Sequence, residues 1–122
     1  MYDETGRTQS LRSSVGAGAT AQFTVQIRNR DDVDREFEVV GPEDTATFRV
    51  IYSLPNGLNI TPSVVAGLHL FLHPGASQRI IVGLKPRTTA RSGDSVVVKV
   101  RVTEQNVLPH GGDTVIARAT RR

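Results

Sequence analysis

Hydrophobic and polar residues alternate in short segments along most of the chain. In residues 21–28, Ala, Phe, Val and Ile alternate with Gln, Thr and Arg, and in residues 96–103 every second residue is Val. A period of two places alternate side chains on opposite faces of a strand, so each segment indicates a half-buried β-strand. Further segments of this kind are residues 36–39, 46–52, 68–72, 79–84 and 114–119.

Turn-forming residues separate these segments. The interruptions are Gly41-Pro42, Asn56-Gly57, Pro74-Gly75 and Gly93. Residues 58–60 suggest one more short strand, which ends before Pro62, and no long window has the helical period of about 3.6. Short strands separated by such turns predict an all-β fold, an immunoglobulin-like two-sheet antiparallel β-sandwich of seven or eight strands.

The 122 residues suffice for one domain. Residues 1–18 are polar and lack periodicity, so we expect a flexible leader or linker there, or a loosely attached strand, and the sandwich domain over residues 19–122. The N-terminus lacks the basic and then apolar pattern of a signal peptide, and no apolar run is long enough to span a membrane. We therefore expect either a cytoplasmic protein or, preferably, a segment of a longer polypeptide.

Residues 19–120 resemble a broad group of bacterial immunoglobulin-like modules that includes the α-galactosidase-associated domains and the CARDB-like (cell-adhesion-related) domains. The resemblance rests on an alternating strand that ends in Asn (residues 23–29) and an apolar strand that runs into a Pro-Gly-small turn (residues 70–77). A β-run that ends in Pro (residues 80–86) and a Gly turn before the next strand (residues 92–98) complete it. These features serve the fold rather than chemistry.

This resemblance implies a non-catalytic structural or interaction module of a larger secreted or cell-envelope protein. Its partners would be another protein or neighbouring domains of the same polypeptide, with no nucleic acid and no insertion into the membrane. One alternative is an accessory domain of a carbohydrate-active enzyme with weak glycan contact. Another is the immunoglobulin-like domain of a membrane-anchored assembly factor, to which the chain is more weakly similar.

Charge is distributed unevenly along the chain. Residues 1–61 hold 6 basic and 9 acidic residues, whereas residues 62–122 hold 9 and 3. The basic residues are scattered and lack aromatic neighbours that could stack on bases, which disfavours nucleic-acid binding. A third hypothesis is a cytoplasmic domain that binds an anionic partner through the basic second half of the chain. It predicts that four arginines cluster on one face, namely Arg79, Arg87, Arg91 and Arg101.

Two groups of residues invite a metal-site interpretation. His69 and His73 are four positions apart, but on a strand this spacing is about 13 Å, too far for one ion. Acidic residues concentrate in residues 31–38, which leaves two interpretations open, a calcium site and a solvated acidic edge. The acidic edge is the favoured interpretation, because the segment lacks the spacing of an EF-hand loop. The acidic residues are Asp31, Asp32, Asp34, Glu36 and Glu38.

No catalytic, cofactor-binding or metal residue is assigned from the sequence, and a non-enzyme without cofactors is predicted. The chain has no Cys, and Ser77 follows a plain turn rather than a nucleophile elbow. Glycan binding by sandwich modules uses exposed aromatic faces, for which Tyr2, Tyr52 and Phe71 are the candidates. An exposed patch formed by Tyr52 and Phe71 would favour that role, and burial would exclude it.

Overall fold

The computed structural model describes residues 8–104 and 112–122, which form eight strands and one short helix. The strands are β1 (Thr8–Val15), β2 (Ala21–Arg28), β3 (Arg35–Val40), β4 (Phe48–Ser53), β5 (Leu68–Leu72), β6 (Ser77–Pro86), β7 (Ser95–Glu104) and β8 (Gly112–Arg121), and the helix is α1 (Thr61–Ala66). One sheet has the order β1-β8-β7-β3-β5 and the other has the order β2-β6-β4. The predicted all-β immunoglobulin-like sandwich is confirmed.

Every described strand pair is antiparallel except β1 with β8, which is parallel. The strand expected at residues 58–60 is reduced to a single bridge between Ser53 and Asn59. Helix α1 follows directly, with Pro62 in its first turn. Proline is tolerated there because the first N–H groups of a helix have no partner within the helix.

The core lies between the two sheets and consists of the apolar set from each alternating strand. In β7, the buried residues Val96, Val98, Val100 and Val102 alternate with exposed ones, as the sequence predicts. Val64 of α1 is fully buried in the same core. Helix α1 contacts β3, β4 and β5 and therefore closes one side of the sandwich.

Part of the segment predicted as a flexible leader or a loosely attached strand forms β1 along β8. Val15 is buried and Leu11 is half-buried, whereas Arg12 and Ser14 are exposed. The Arg122 N–H donates a hydrogen bond to the Val15 carbonyl at 2.9 Å. Two apolar contacts in a polar segment are too few for a period-two signal, and the pairing depends on the distant β8. Residues 1–7 of the predicted leader lie outside the described residues.

Gly75 and Gly93, both at positive φ, form β-bulges just before β6 and β7, in which two residues lie opposite one residue of the neighbouring strand. The Gly75 N–H donates to the Asn29 carbonyl, and the Asn29 N–H donates to the Ala76 carbonyl, both at 2.9 Å. In the same way, the Gly93 N–H donates to the Arg121 carbonyl, and the Arg121 N–H donates to the Asp94 carbonyl, both at 2.8 Å. Such bulges favour glycine at their first position, where φ is +79° at Gly75 and +93° at Gly93. The Pro-Gly-small turn of the sequence is therefore an architectural feature of β6.

Candidate protein-interaction site

The backbone of an edge strand can pair with a further strand wherever its N–H and C=O groups are free. In an antiparallel pair, both groups of one residue point to the same side, and those of the next residue point to the opposite side. The described edges of the two sheets are β1, β5, β2 and β4. Hydrogen bonds at the strand ends show which residues of an edge strand direct their backbone N–H and C=O groups away from the sheet.

The β4 edge is blocked by neighbouring side chains. Phe48 lies opposite Pro86, which has no N–H and so cannot donate to Phe48. The backbone N–H and C=O groups of Phe48, and of every second residue after it, therefore point away from β6. Each of the three outward N–H groups donates to a side-chain oxygen. The bonds are Phe48 to Thr45 Oγ1 at 3.1 Å, Val50 to Asp44 Oδ1 at 2.7 Å and Tyr52 to Thr61 Oγ1 at 3.0 Å. This edge therefore offers no free donor to a partner.

The orientation of β3 follows from the residue after it. The Gly41 N–H donates to the Val64 carbonyl in α1 at 3.2 Å, on the side away from β7. Alternation along the strand then turns the N–H and C=O groups of Val39 and Phe37 towards β5. The ladder between β3 and β5 therefore uses the odd-numbered residues of β3.

The outward groups of β5 belong to His69 and Phe71. Leu68 and Leu70 are the partners of Val39 and Phe37, so their backbone groups point to β3. The intervening residues point in the opposite direction, and no described residue binds their N–H or C=O groups. In contrast to β4, the β5 edge can accept an added strand.

The side chains beside this edge combine an apolar ring with charged groups. Phe71 is 76% exposed, which is unusual for so large an apolar side chain. His69 lies between two carboxylates of β3, with Nδ1 2.6 Å from Glu36 and Nε2 3.3 Å from Glu38. His73 Nδ1 is 2.9 Å from Asp34. A partner strand at β5 would therefore meet both an exposed phenyl ring and polar groups.

The acidic segment interacts mainly with basic side chains of this chain. Arg35 Nε lies 2.7 Å from Asp31 and 3.4 Å from Glu104. This guanidinium lowers the pKa of the Asp31 carboxyl, because it donates a hydrogen bond to the charged form. Among the described residues, no group of three or more potential ligands converges to hold a metal ion. The two nitrogens of His69 contact different carboxylates on opposite sides of its ring, so they share no coordination point.

The structure separates the arginines that would have formed one anionic-partner site. Arg79 lies on β6, in the three-stranded sheet, and Arg101 lies on β7, in the five-stranded sheet. Arg87 Nη2 is 3.1 Å from Asp44 Oδ2, and Arg91 lies in the loop before β7. The predicted cluster is therefore absent.

The aromatic patch that would have favoured glycan binding is also not formed. Tyr52 is fully buried and donates its hydroxyl hydrogen bond to the Pro42 carbonyl at 3.0 Å, whereas Phe71 is exposed on β5. Ser77 begins β6 opposite Arg28. A concavity of about 610 Å³ lies between β4 and α1 and opens to solvent. Its lining includes Asp44, Arg49, Thr61 and Val65.

Comparisons with known proteins identify the fold but no family. No protein-family model and no curated sequence matches the chain. Similar solved structures include the CupB6 tip adhesin of Pseudomonas aeruginosa, with a TM-score of 0.56 and 13% identity over 94% of this chain. The CooA pilin subunit of enterotoxigenic Escherichia coli has a TM-score of 0.53 and 9% identity, and the alignment covers 91% of this chain and 90% of the pilin.

A third similar structure is PbICP-C, solved in complex with falcipain-2, with a TM-score of 0.53 and 8% identity over 98% of this chain and 93% of that chain. Our chain spans only 40% of the length of the adhesin chain. At these identities the likeness concerns the sandwich fold. Within the described residues, no helix has the length and apolar character that a membrane crossing requires.

Proposed function

We propose that this chain is a non-catalytic protein-interaction module of a larger secreted or cell-envelope protein, and that β5 pairs with an extended segment of its partner. The observation that carries this proposal is the free backbone edge at His69 and Phe71 beside an exposed phenyl ring. A strand added to a sheet edge gains backbone hydrogen bonds for affinity and side-chain contacts for specificity.

The two edge strands that α1 contacts, β4 and β5, differ in a way that supports this choice. Exposed sheet edges promote aggregation, and natural proteins block them. This chain blocks β4 with Asp44, Thr45 and Thr61 and leaves β5 unblocked. Each backbone hydrogen bond to an added strand would contribute about 0.5–1.5 kcal/mol net, and Phe71 would add apolar burial.

The non-catalytic role and the location are supported by the similar solved structures, independently of the β5 edge. Two of the similar structures are a tip adhesin and a pilin subunit, which supports a module at the cell surface. An adhesion-related immunoglobulin-like module such as the CARDB-like domains is the finer assignment we propose. The carbohydrate-accessory alternative is not favoured, because burial of Tyr52 removes half of the aromatic patch on which it depended.

A peptide-binding experiment tests the edge. Peptides would be selected from a phage library of random sequences on the wild-type chain, and their sites mapped by amide chemical shifts. We expect the largest shifts at the His69 and Phe71 amides. Phe71→Pro removes an outward N–H and the phenyl ring without removing a donor of the ladder with β3, so it should weaken binding by about tenfold or more.

Thr24→Pro provides the matched control on the opposite sheet. Asn29 N–H donates towards β6, so alternation along β2 directs the Thr24 N–H outwards. This variant should bind the selected peptides as tightly as wild type. Equal weakening by both variants, or failure to select any peptide that shifts the β5 amides, would refute the proposed site.

Location is tested separately by fractionating source cells and blotting with an antibody to this domain. A larger band in the envelope or medium is expected. A soluble cytoplasmic band near the mass of the chain alone, 13.2 kDa, would refute the envelope assignment and leave the β5 test unaffected.

A further inference from the structure

Four basic side chains form a diagonal stripe on the outer face of the five-stranded sheet. Lys99 and Arg101 are exposed on β7, where they alternate with buried valines. Arg118 is exposed between the buried Ala117 and Ala119 of β8. Arg12 lies beside it on the edge strand β1 and is also exposed. We call these four residues the basic stripe.

No described acidic side chain pairs with the basic stripe, although several acidic residues elsewhere have basic partners. Arg12 and Arg118 are direct neighbours across the β1–β8 pair. Like charges in such positions repel each other and reduce stability. The fold therefore keeps an uncompensated repulsion on this face, which an anionic ligand would relieve.

The spacing of the stripe matches an extended ligand. Strands lie about 4.8 Å apart and advance about 3.4 Å per residue, so the Cα atoms of the stripe span about 17 Å from Arg101 to Arg12. Arginine, which supplies three of the four cations, presents a planar fork of donors that suits sulfate, phosphate and carboxylate groups. We infer that the basic stripe binds a linear anionic glycan, which lies diagonally across β7, β8 and β1.

Two other polyanionic surfaces fit the stripe less well. Single-stranded nucleic acids use aromatic side chains as stacking platforms. The exposed Phe71 lies on β5, at the opposite edge of the sheet from Arg12. A membrane surface would favour several apolar side chains beside the cations. Val97, next to Arg118, is the one exposed large apolar residue among the described residues of β7 and β8.

Heparin is the probe for this inference, with neutral dextran, a single-stranded oligonucleotide and anionic phosphatidylglycerol vesicles as comparisons. We expect heparin to bind with an affinity that falls linearly with salt on a logarithmic scale, and dextran not to bind. The double variants Lys99→Glu/Arg101→Glu and Arg12→Glu/Arg118→Glu should each lower the heparin affinity by about tenfold or more.

The matched control reverses Arg49 and Arg79, which are exposed on the three-stranded sheet. It changes the net charge by the same amount and should keep heparin affinity within about twofold, since long-range attraction is screened by salt. Thermal unfolding would verify that each variant folds. Equal loss in the control, or absence of heparin binding by folded wild type, would overturn the site. Oligonucleotide or vesicle binding as tight as heparin binding, and lost in the stripe variants, would overturn the glycan assignment.

Discussion

Asn29 connects three parts of the molecule through one side chain. It is the buried polar residue at the end of β2, and its amide donates hydrogen bonds to the carbonyls of Val33 at 2.8 Å and Leu72 at 2.7 Å. Its Oδ1 accepts a bond from the Asp31 N–H at 3.0 Å. All the polar atoms of the amide group therefore have partners, and both sheets are joined at this position.

The first prediction concerns this residue. Asn29→Leu should reduce the free energy of unfolding by about 3 kcal/mol, because it leaves buried backbone groups without partners. Urea denaturation measures the change. Asn56→Ala is the control, since Asn56 also accepts a bond from the backbone two residues ahead but is exposed, and its loss should be below about 1 kcal/mol. Similar losses in the two variants would contradict the connecting role of Asn29.

Tyr52 gives the second prediction at this scale. Burial raises the pKa of its phenol above the ordinary value of 10.0. The neutral form is thus favoured in the folded state, so its contribution to stability is complete below pH about 10 and is lost as the pH rises further. In a Tyr2→Phe variant, where Tyr52 is the remaining tyrosine, tyrosinate absorbance should increase only together with unfolding. Ionisation near pH 10 in the folded protein would contradict this prediction.

At the scale of elements, we call the three side-chain oxygens that accept the outward N–H groups of β4 the β4 cap, and it can be tested through one acceptor. Thr61→Val keeps the shape of the side chain but removes the oxygen that accepts the Tyr52 N–H bond, so unfolding should require about 1 kcal/mol less. Hydrogen exchange of the Tyr52 amide should accelerate. Thr24→Val, on the exposed side of β2, should change neither quantity. Unchanged exchange at Tyr52 in the Thr61 variant would show that the cap is dispensable.

Sequence periodicity predicted those elements whose signal is local. The strands β2 and β7 follow directly from strict alternation, and their inward residues are the ones expected. Helix α1 was missed because six residues are too few for a helical period, and β1 has only two inward apolar residues. The candidate sites depend on which strands become edges, so the free backbone at Phe71 and the neighbouring Arg12 and Arg118 could not be read from local patterns.

At the scale of the whole molecule, the two sides of the sandwich are closed differently. Helix α1 closes the core between β4 and β5, with Val64 buried, and the β4 cap covers the backbone edge of β4 but not that of β5. The other side is bordered by β2 and by β1, which pairs in parallel with β8. Since β1 precedes the other described strands and pairs only with β8, it can be removed without interrupting the chain between the remaining strands.

A chain that begins at Gly16 therefore gives the last prediction. It loses the buried Val15 and half-buried Leu11 and exposes the edge of β8, so we expect it to remain folded but to lose about 2–4 kcal/mol of stability and to self-associate. Denaturation and sedimentation measure both effects, and a peptide of residues 8–15 should reverse them. A chain that begins at Thr8 is the reference, so that the comparison measures the loss of residues 8–15 alone. A Gly16 chain with wild-type stability would mean that β1 contributes little to the sandwich, whereas complete unfolding would make β1 an essential part of the core.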